Sequence, residues 1–351
     1  MPTIVLLCGV LAASEETAID RATLDRWAAP FRGWHYYPDF VLPPSPDDGL
    51  NFEKVDCPLV WRQDDEWRLF YTGFDGIGYQ TAMARSRDLL HWEPMGRAMG
   101  FGEEGAFDHG GVTFGGLLFD SYDMDGPRTL KRWRGRYWAL YGCYPRQGGY
   151  ELRPGAQGLA WSTDGDRWRR DSTRRPILSI EGAASWERDC IYQPWLLEHE
   201  GRFWNFYNAA EGSIEQMGLA TSTDLRQWDR YPGNPVLPHG GPGTYDEQFC
   251  SDGKVFRHDD HWIMIYFGVG QGGAHIMIAF SRDLHTWTRH PEPLYKAGGH
   301  PGGLDATYAH KIALVRNPEN DMYYMFYCAV GEHGRGIALL TSASLTPPKK
   351  D

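Results

Sequence analysis

Seven carboxylates recur at one kind of place along this chain, each shortly before or at the start of a short apolar run. They are Asp56 in VDCP, Asp108 in FDHGGV, Asp189 in WERDCIYQP, Asp246, Glu247 and Asp252 in YDEQFCSDG, and Asp305 in GLDATYAHK. Glu187 joins them in WERDC, Gln193 follows in IYQP, and His109 and His310 lie in the same segments. An acid beside a hydrophobic strand is costly to bury unpaired, so its repetition needs a reason. One reason is a turn or cap role at each position. The surroundings of the acids differ, however, and a recurring acid in varied context points to a shared site. Carboxylates accompanied by aromatic rings suit sugar chemistry. Glycoside hydrolysis takes one carboxylic acid to protonate the leaving oxygen and a second carboxylate to activate water or attack the anomeric carbon. A third holds hydroxyls or tunes a neighbour's pKa through like charge.

For acids so far apart in sequence to meet, repeated elements must bring them to one axis. Such a repeat is present. An aromatic residue followed four positions later by Tyr occurs as Trp67/Tyr71, Tyr137/Tyr141, Phe203/Tyr207, Trp262/Tyr266 and Tyr323/Tyr327. Positions i, i+2 and i+4 share one face of a strand. The residues between them are also largely apolar, which suits a strand covered on both faces. A second motif, S-x-D-x-x-x-W, follows at Ser86-Asp88-Trp92, Ser162-Asp164-Trp168, Ser222-Asp224-Trp228 and Ser281-Asp283-Trp287, with a degenerate fifth copy around Ser342 and Leu345. Its Ser and Asp read as turn formers that bond nearby backbone N–H groups. A short apolar run precedes each aromatic strand, beginning at Pro58, Gly116, Pro194, Gly253 and Lys311. Each unit therefore reads as four antiparallel strands, and the whole as an all-β, five-bladed β-propeller over residues 51–346. In that architecture the inner strands converge, and the acids at their entrances face one funnel.

Residues 1–50 fall outside the pattern. Ile4 to Ala13 reads as a strand, since no basic residue precedes it as in a secretory signal. Ala18 to Ala29 reads as a short amphipathic helix. The aromatic, Pro-rich stretch from Trp34 to Asp47 reads as a strap on the propeller or as a lip offering Trp34 to a sugar. The tail from Pro347 to Asp351 reads as a frayed end.

Bulk properties narrow the partners. The formal charge of −11 disfavours a phosphate backbone, so nucleic acid is not expected. No stretch approaches the roughly 18 apolar residues of a membrane span, so no membrane partner is expected. Six cysteines without a C-x-x-C pair read as free thiols in a domain large enough to fold without disulfides. Localisation leans cytoplasmic, with secretion as the alternative. The oligomeric state is left open.

With these elements in view, the chain resembles the five-bladed glycoside hydrolases, including families 43, 32, 62, 68, 117 and 130, over about residues 50–345. The likeness rests on the inner-strand acids, the aromatic-x-x-x-Tyr strand and A-x-S-x-D-L-x-x-W. It implies a base or nucleophile at Asp56, a second Asp in the next blade at Asp108, and an acid in the third blade, where WERDC offers Glu187 and Asp189 and is similar to an R-D-P element. VDCP departs from the W-M-N-D-P-N-G box of family 32. The expected activity is an exo-acting glycosidase acting on a small oligosaccharide or glycan end. Its candidate catalytic residues are Asp56, Asp108, Asp189, Glu187 and Glu247. Its candidate sugar-holding residues are His109, Gln193, Asp246, Asp252, Asp305, His310 and Trp34. No cofactor is required, although His310 is a candidate ligand for a metal on the axis. Two other readings are a phosphorylase, with Arg188 or Lys254 taking phosphate, and a non-catalytic carbohydrate-binding propeller. Near-identical loops in every blade would favour the last, and the loops here differ.

Overall fold

A computed structural model describes residues 19–45, 49–50, 52–171 and 175–345. The stretch from Ile4 to Ala13, Cys8 and the tail from Pro347 lie outside the described residues. One helix, α1 (Arg21–Ala28), occupies the region read as amphipathic. Asp20 caps it by accepting the Thr23 N–H at 2.9 Å. This cap starts the helix nearly one turn later than the apolar pattern alone suggests.

Apart from a two-residue strand β1 (His35–Tyr36), the strands fall into five antiparallel groups in chain order. The first group is β2 (Lys54–Gln63), β3 (Glu66–Phe74), β4 (Tyr79–Ser86) and β5 (Glu93–Met99). The second is β6 (Gly111–Leu117), β7 (Tyr137–Tyr144), β8 (Ala156–Ser162) and β9 (Trp168–Arg170). The third is β10 (Cys190–His199), β11 (Arg202–Glu211), β12 (Ile214–Ser222) and β13 (Asp229–Arg230). The fourth is β14 (Phe249–His258), β15 (His261–Gly270), β16 (Gly273–Ser281) and β17 (Thr288–Arg289). The fifth is β18 (Tyr308–Asn317), β19 (Met322–Gly331) and β20 (Gly334–Thr341), completed by β1 from the start of the chain, with His35 opposite Thr341. The outer strand of this last group is therefore supplied by the segment after α1, and the residues around Ser342 form none. The inner strands β2, β6, β10, β14 and β18 contact one another in turn, and β18 returns to β2, closing the ring of a β-propeller.

The aromatic strands hold the blades together. Tyr71, Tyr141, Tyr207, Tyr266 and Tyr327 are all buried, as are the inner faces of β2, β6, β10, β14 and β18. The S-x-D-x-x-x-W motif is a turn in all four copies. In the first, Ser86 Oγ accepts the Leu89 N–H, Asp88 Oδ1 accepts the Leu90 and His91 N–H groups, and Trp92 Nε1 donates to the Leu89 carbonyl. The residue after Asp takes a left-handed backbone, with φ of 66–68° at Leu89, Leu225 and Leu284. Gly165 fills that position at 84° without the Cβ penalty. Cys57, Cys143, Cys190, Cys250 and Cys328 are buried free thiols. Among the described residues no helix is long and apolar enough to cross a membrane.

Each inner strand carries a β-bulge at one level. The register with the second strand slips between Asp56 and Leu59, Phe114 and Gly116, Ile191 and Pro194, Ser251 and Lys254, and His310 and Ile312. A bulge kinks the strand and re-aims a side chain. In three blades the bulged residue is a non-glycine in the left-handed region: Cys57, Asp252 and Lys311, with φ of 50–51°. Such strain collects where a side chain must be held in an unusual direction.

Candidate active site

The bulges open onto a cavity of about 290 Å³ at one end of the axis. Its floor is polar, with Cys57, Thr113, Gln193, Asp252, His310 and Lys311 contributed by the inner strands. Thr72 and Thr113 share a hydroxyl bond of 2.6 Å, and the Gln193 amide donates to Cys57 Sγ at 3.2 Å. Its walls are aromatic, formed by Tyr79, Tyr144, Tyr150, Tyr192, Phe249 and Phe267. Below the floor the axis is filled. Trp195 donates its indole N–H to the Val255 carbonyl at 3.0 Å, Lys254 lies 5.4 Å from the Trp195 ring, and Arg128 lies over Phe256 at 4.9 Å.

Three of the expected residues, Gln193, Asp252 and His310, line this cavity, and Asp56 sits directly behind Cys57. Burial pushes His310 down to about 3, so its ring is neutral, and its Nδ1 pairs with the Cys328 carbonyl at 2.9 Å. Burial raises the Asp252 carboxyl even though Lys254 donates to it at 2.8 Å. Burial alone would raise Asp56 as well. There, however, Lys311 at 2.8 Å and Arg335 at 3.1 Å win, and hold it well below the usual carboxylate range.

Four expected residues stand elsewhere and perform one repeated structural task. Asp108, Glu187, Asp246 and Asp305 are at most 2% exposed. Each accepts a hydrogen bond from the Tyr of its own blade's second strand: Tyr141 at 3.1 Å, Tyr207 at 2.7 Å, Tyr266 at 2.8 Å and Tyr327 at 3.0 Å. In three blades an Arg two residues beyond the motif Trp completes the brace. Arg170 pairs with Asp108, Arg230 with Glu187 at 2.8 Å and Arg289 with Asp246 at 2.8 Å. In the fifth, Tyr295 takes that place on Asp305 at 2.6 Å. A buried acid satisfied by a phenol and a guanidinium ties three strands together, and none of the four lines the cavity.

The remaining expected residues are turn or rim groups. Asp189 accepts the Gly212 N–H at 2.6 Å, Glu247 accepts the Gly243 N–H at 2.8 Å, and His109 bonds the Gly102 carbonyl at 3.2 Å. Trp34 lies with Tyr36 and Tyr295 in a separate surface groove and does not reach the axial cavity. Arg188 pairs with Glu211 at 2.7 Å, and Lys254 pairs with Asp252, so both cations considered for phosphate are committed to carboxylates. Asp56, His310 and Cys328 present donor atoms within 4.8 Å of one another. As a metal site this set is a poor fit. Two cations already occupy Asp56, and burial keeps the Cys328 thiol protonated.

Two carboxylates that the inner-strand pattern does not single out face the cavity. Glu215 is the second residue of β12 and is 7% exposed. Ser251 Oγ at 2.8 Å and the Asn208 amide at 3.0 Å both donate to its Oε2. Burial, then the nearby charge of Glu151, raises it to about 7. Glu151 lies between β7 and β8 with a left-handed φ of 46°, and the Tyr79 hydroxyl approaches its Oε1 at 3.4 Å. The usable signal for Glu215 is its place as the first polar residue of a third strand, the position held by Arg335 in the fifth blade.

A propeller with a closed-bottomed axial pocket, lined by aromatic rings and by carboxylates in unlike environments, places the protein among the propeller-fold glycoside hydrolases. Residues 56–305 match the Glycosyl hydrolases family 32 N-terminal domain, and the chain belongs to that family. It is similar to the levanase of Bacillus subtilis (strain 168), with 31% identity over 110 residues; that stretch is 30% of this chain and only 15% of the levanase. Among solved structures, one described as "Glycoside hydrolase" aligns with a TM-score of 0.81 at 27% identity, covering 95% of this chain and 98% of that one. A solved complex described by the words BT0996 and RGII aligns with the same score and coverages at 26% identity.

Proposed function

We propose that the protein hydrolyses a glycosidic bond in the axial cavity, with Glu215 as the proton donor and Glu151 as the second carboxylate. One observation carries this reading: a buried Glu215, raised to about 7, lines the same pocket as a second acid, Glu151. A carboxyl with that pKa is protonated often enough at neutral pH to donate and basic enough to take the proton back. Among the described residues, Glu151 reaches the cavity with one long hydrogen bond on it, so its oxygens are available to attack the anomeric carbon or to activate water. Aromatic walls suit the apolar faces of a sugar ring. The volume lies at the small end for a ligand pocket and the floor is closed, which supports removal of a terminal sugar over cleavage within a chain.

Nitrophenyl glycosides, fructan oligosaccharides and RGII oligosaccharides, each offered with and without phosphate, test the activity. Release of one terminal sugar independent of phosphate is the expected result. NMR of the first-formed sugar then reads the stereochemistry, which follows from carboxyl separations of about 5 Å for retention and 6.5–9.5 Å for inversion.

A further inference from the structure

Asp56 is the acid that sequence likeness puts at the reacting centre, yet its surroundings suit a different task. Its Oδ1 accepts the Cys57 N–H at 2.9 Å, and its Oδ2 accepts Lys311 at 2.8 Å and Arg335 at 3.1 Å. It is 2% exposed and is not among the groups lining the cavity. A nucleophile or base needs an unencumbered lone pair aimed at the substrate.

Arg335 leads onward from Asp56. The same Nη1 that donates to Asp56 also donates to the Tyr150 hydroxyl, across the axis from the fifth blade to the second. Tyr150 directly precedes Glu151. At 36% exposure it sits at the rim, where core packing alone does not fix it. Its ring is steered by Phe74 at 5.5 Å and Tyr79 at 5.2 Å, with Lys54 5.2 Å from its centre. Glu151 itself holds a left-handed backbone, a conformation that persists only when its neighbours enforce it.

We infer that Asp56, Arg335 and Tyr150 form an anchor across the axis that holds Glu151 in its working position, so that Asp56 serves the reaction by positioning and not by contact with the sugar. The inference rests on the proposed role of Glu151. It makes Tyr150 and Arg335 positioning residues that no strand pattern would single out.

Chemical rescue by azide tests it, together with kinetics and hydrogen exchange on the full chain. In Glu151→Ala, azide attacks the anomeric carbon as the aglycone leaves with the bonding pair and takes the Glu215 proton, so a glycosyl azide forms and turnover returns. In Asp56→Ala, or in the isosteric Asp56→Asn if the alanine variant fails to fold, azide restores nothing. Tyr150→Phe and Arg335→Met each lower kcat by about 10- to 100-fold with little change in KM, as expected for a misplaced reacting group. Both also speed amide exchange across residues 145–155. Azide rescue of the Asp56 variant would overturn the inference, because Asp56 would then be the attacking group. Unchanged kcat and exchange in Tyr150→Phe and Arg335→Met would overturn the anchor while leaving Glu151 in its role. Full activity in Glu151→Ala would overturn the role of Glu151 itself, and the anchor with it.

Discussion

Two groups of acids occupy this propeller, and they differ in what satisfies them. Asp108, Glu187, Asp246 and Asp305 each accept the tyrosine hydroxyl of their own blade's second strand and a second donor, an Arg in three blades and Tyr295, bridged to the fourth blade, on Asp305. Asp56, Asp252, Glu151 and Glu215 meet partners that differ at every position, and Glu215 has no cation bonded to it among the described residues. A repeated partner set is the mark of a brace. An unrepeated one holds Asp56 below the usual carboxylate range while Asp252 and Glu215 are raised above it, the kind of divergence that acid–base chemistry requires.

The sharpest way to break this division is Glu215→Gln. It removes the donor while keeping shape, and turnover of a substrate with a poor leaving group should fall by about 10²- to 10⁴-fold. A nitrophenyl substrate, whose leaving group needs less protonation, should lose far less. Asp246→Asn addresses the other group. It leaves Arg289 beside a neutral amide in a buried setting, which should cost about 3 kcal/mol of stability. The unfolding midpoint should drop by several degrees while kcat/KM stays within about twofold of the parent. Equal loss of activity in both variants would erase the division.

The pH profile sharpens it further. Glu215 must be protonated to donate, so kcat/KM should fall as pH rises through about 7. The bond from Ser251 favours the ionised form, so Ser251→Ala should move that limb upward, by roughly half to one unit. The smallest effect belongs to the turns. Asp283→Ala removes the acceptor for the His285 and Thr286 N–H groups and should cost about 1 kcal/mol in a denaturant titration, with no change in the pH profile.

The ring was legible in the sequence because its two motifs are local: a Tyr four residues after an aromatic, and an Asp two after a Ser. The braces were half legible. Their acids stood out, but the residues that explain them, Arg170, Arg230 and Arg289, are visible as a pattern only once each is counted from the motif Trp. Gln193, Asp252 and His310 reach the axial cavity, and Asp56 lies just behind it, because inner-strand entrances point at the axis. Glu215 enters from the start of a third strand and Glu151 from a connecting segment. How far such a segment reaches over the funnel depends on the path of its backbone, which residue spacing does not encode. The fifth blade shows the same limit from the other side. The strand that completes it, His35 to Tyr36, is too short to carry a pattern and pairs with the far end of the chain.

The filled axis beneath the cavity has a kinetic consequence. With Trp195, Lys254 and Arg128 closing the floor, whatever is released at the reacting centre departs through the mouth by which it came. A longer glycan must then let go after each cut before its new end can enter. Digestion would be distributive, shortening many glycans together, and the free sugar would compete with fresh substrate for the same entrance.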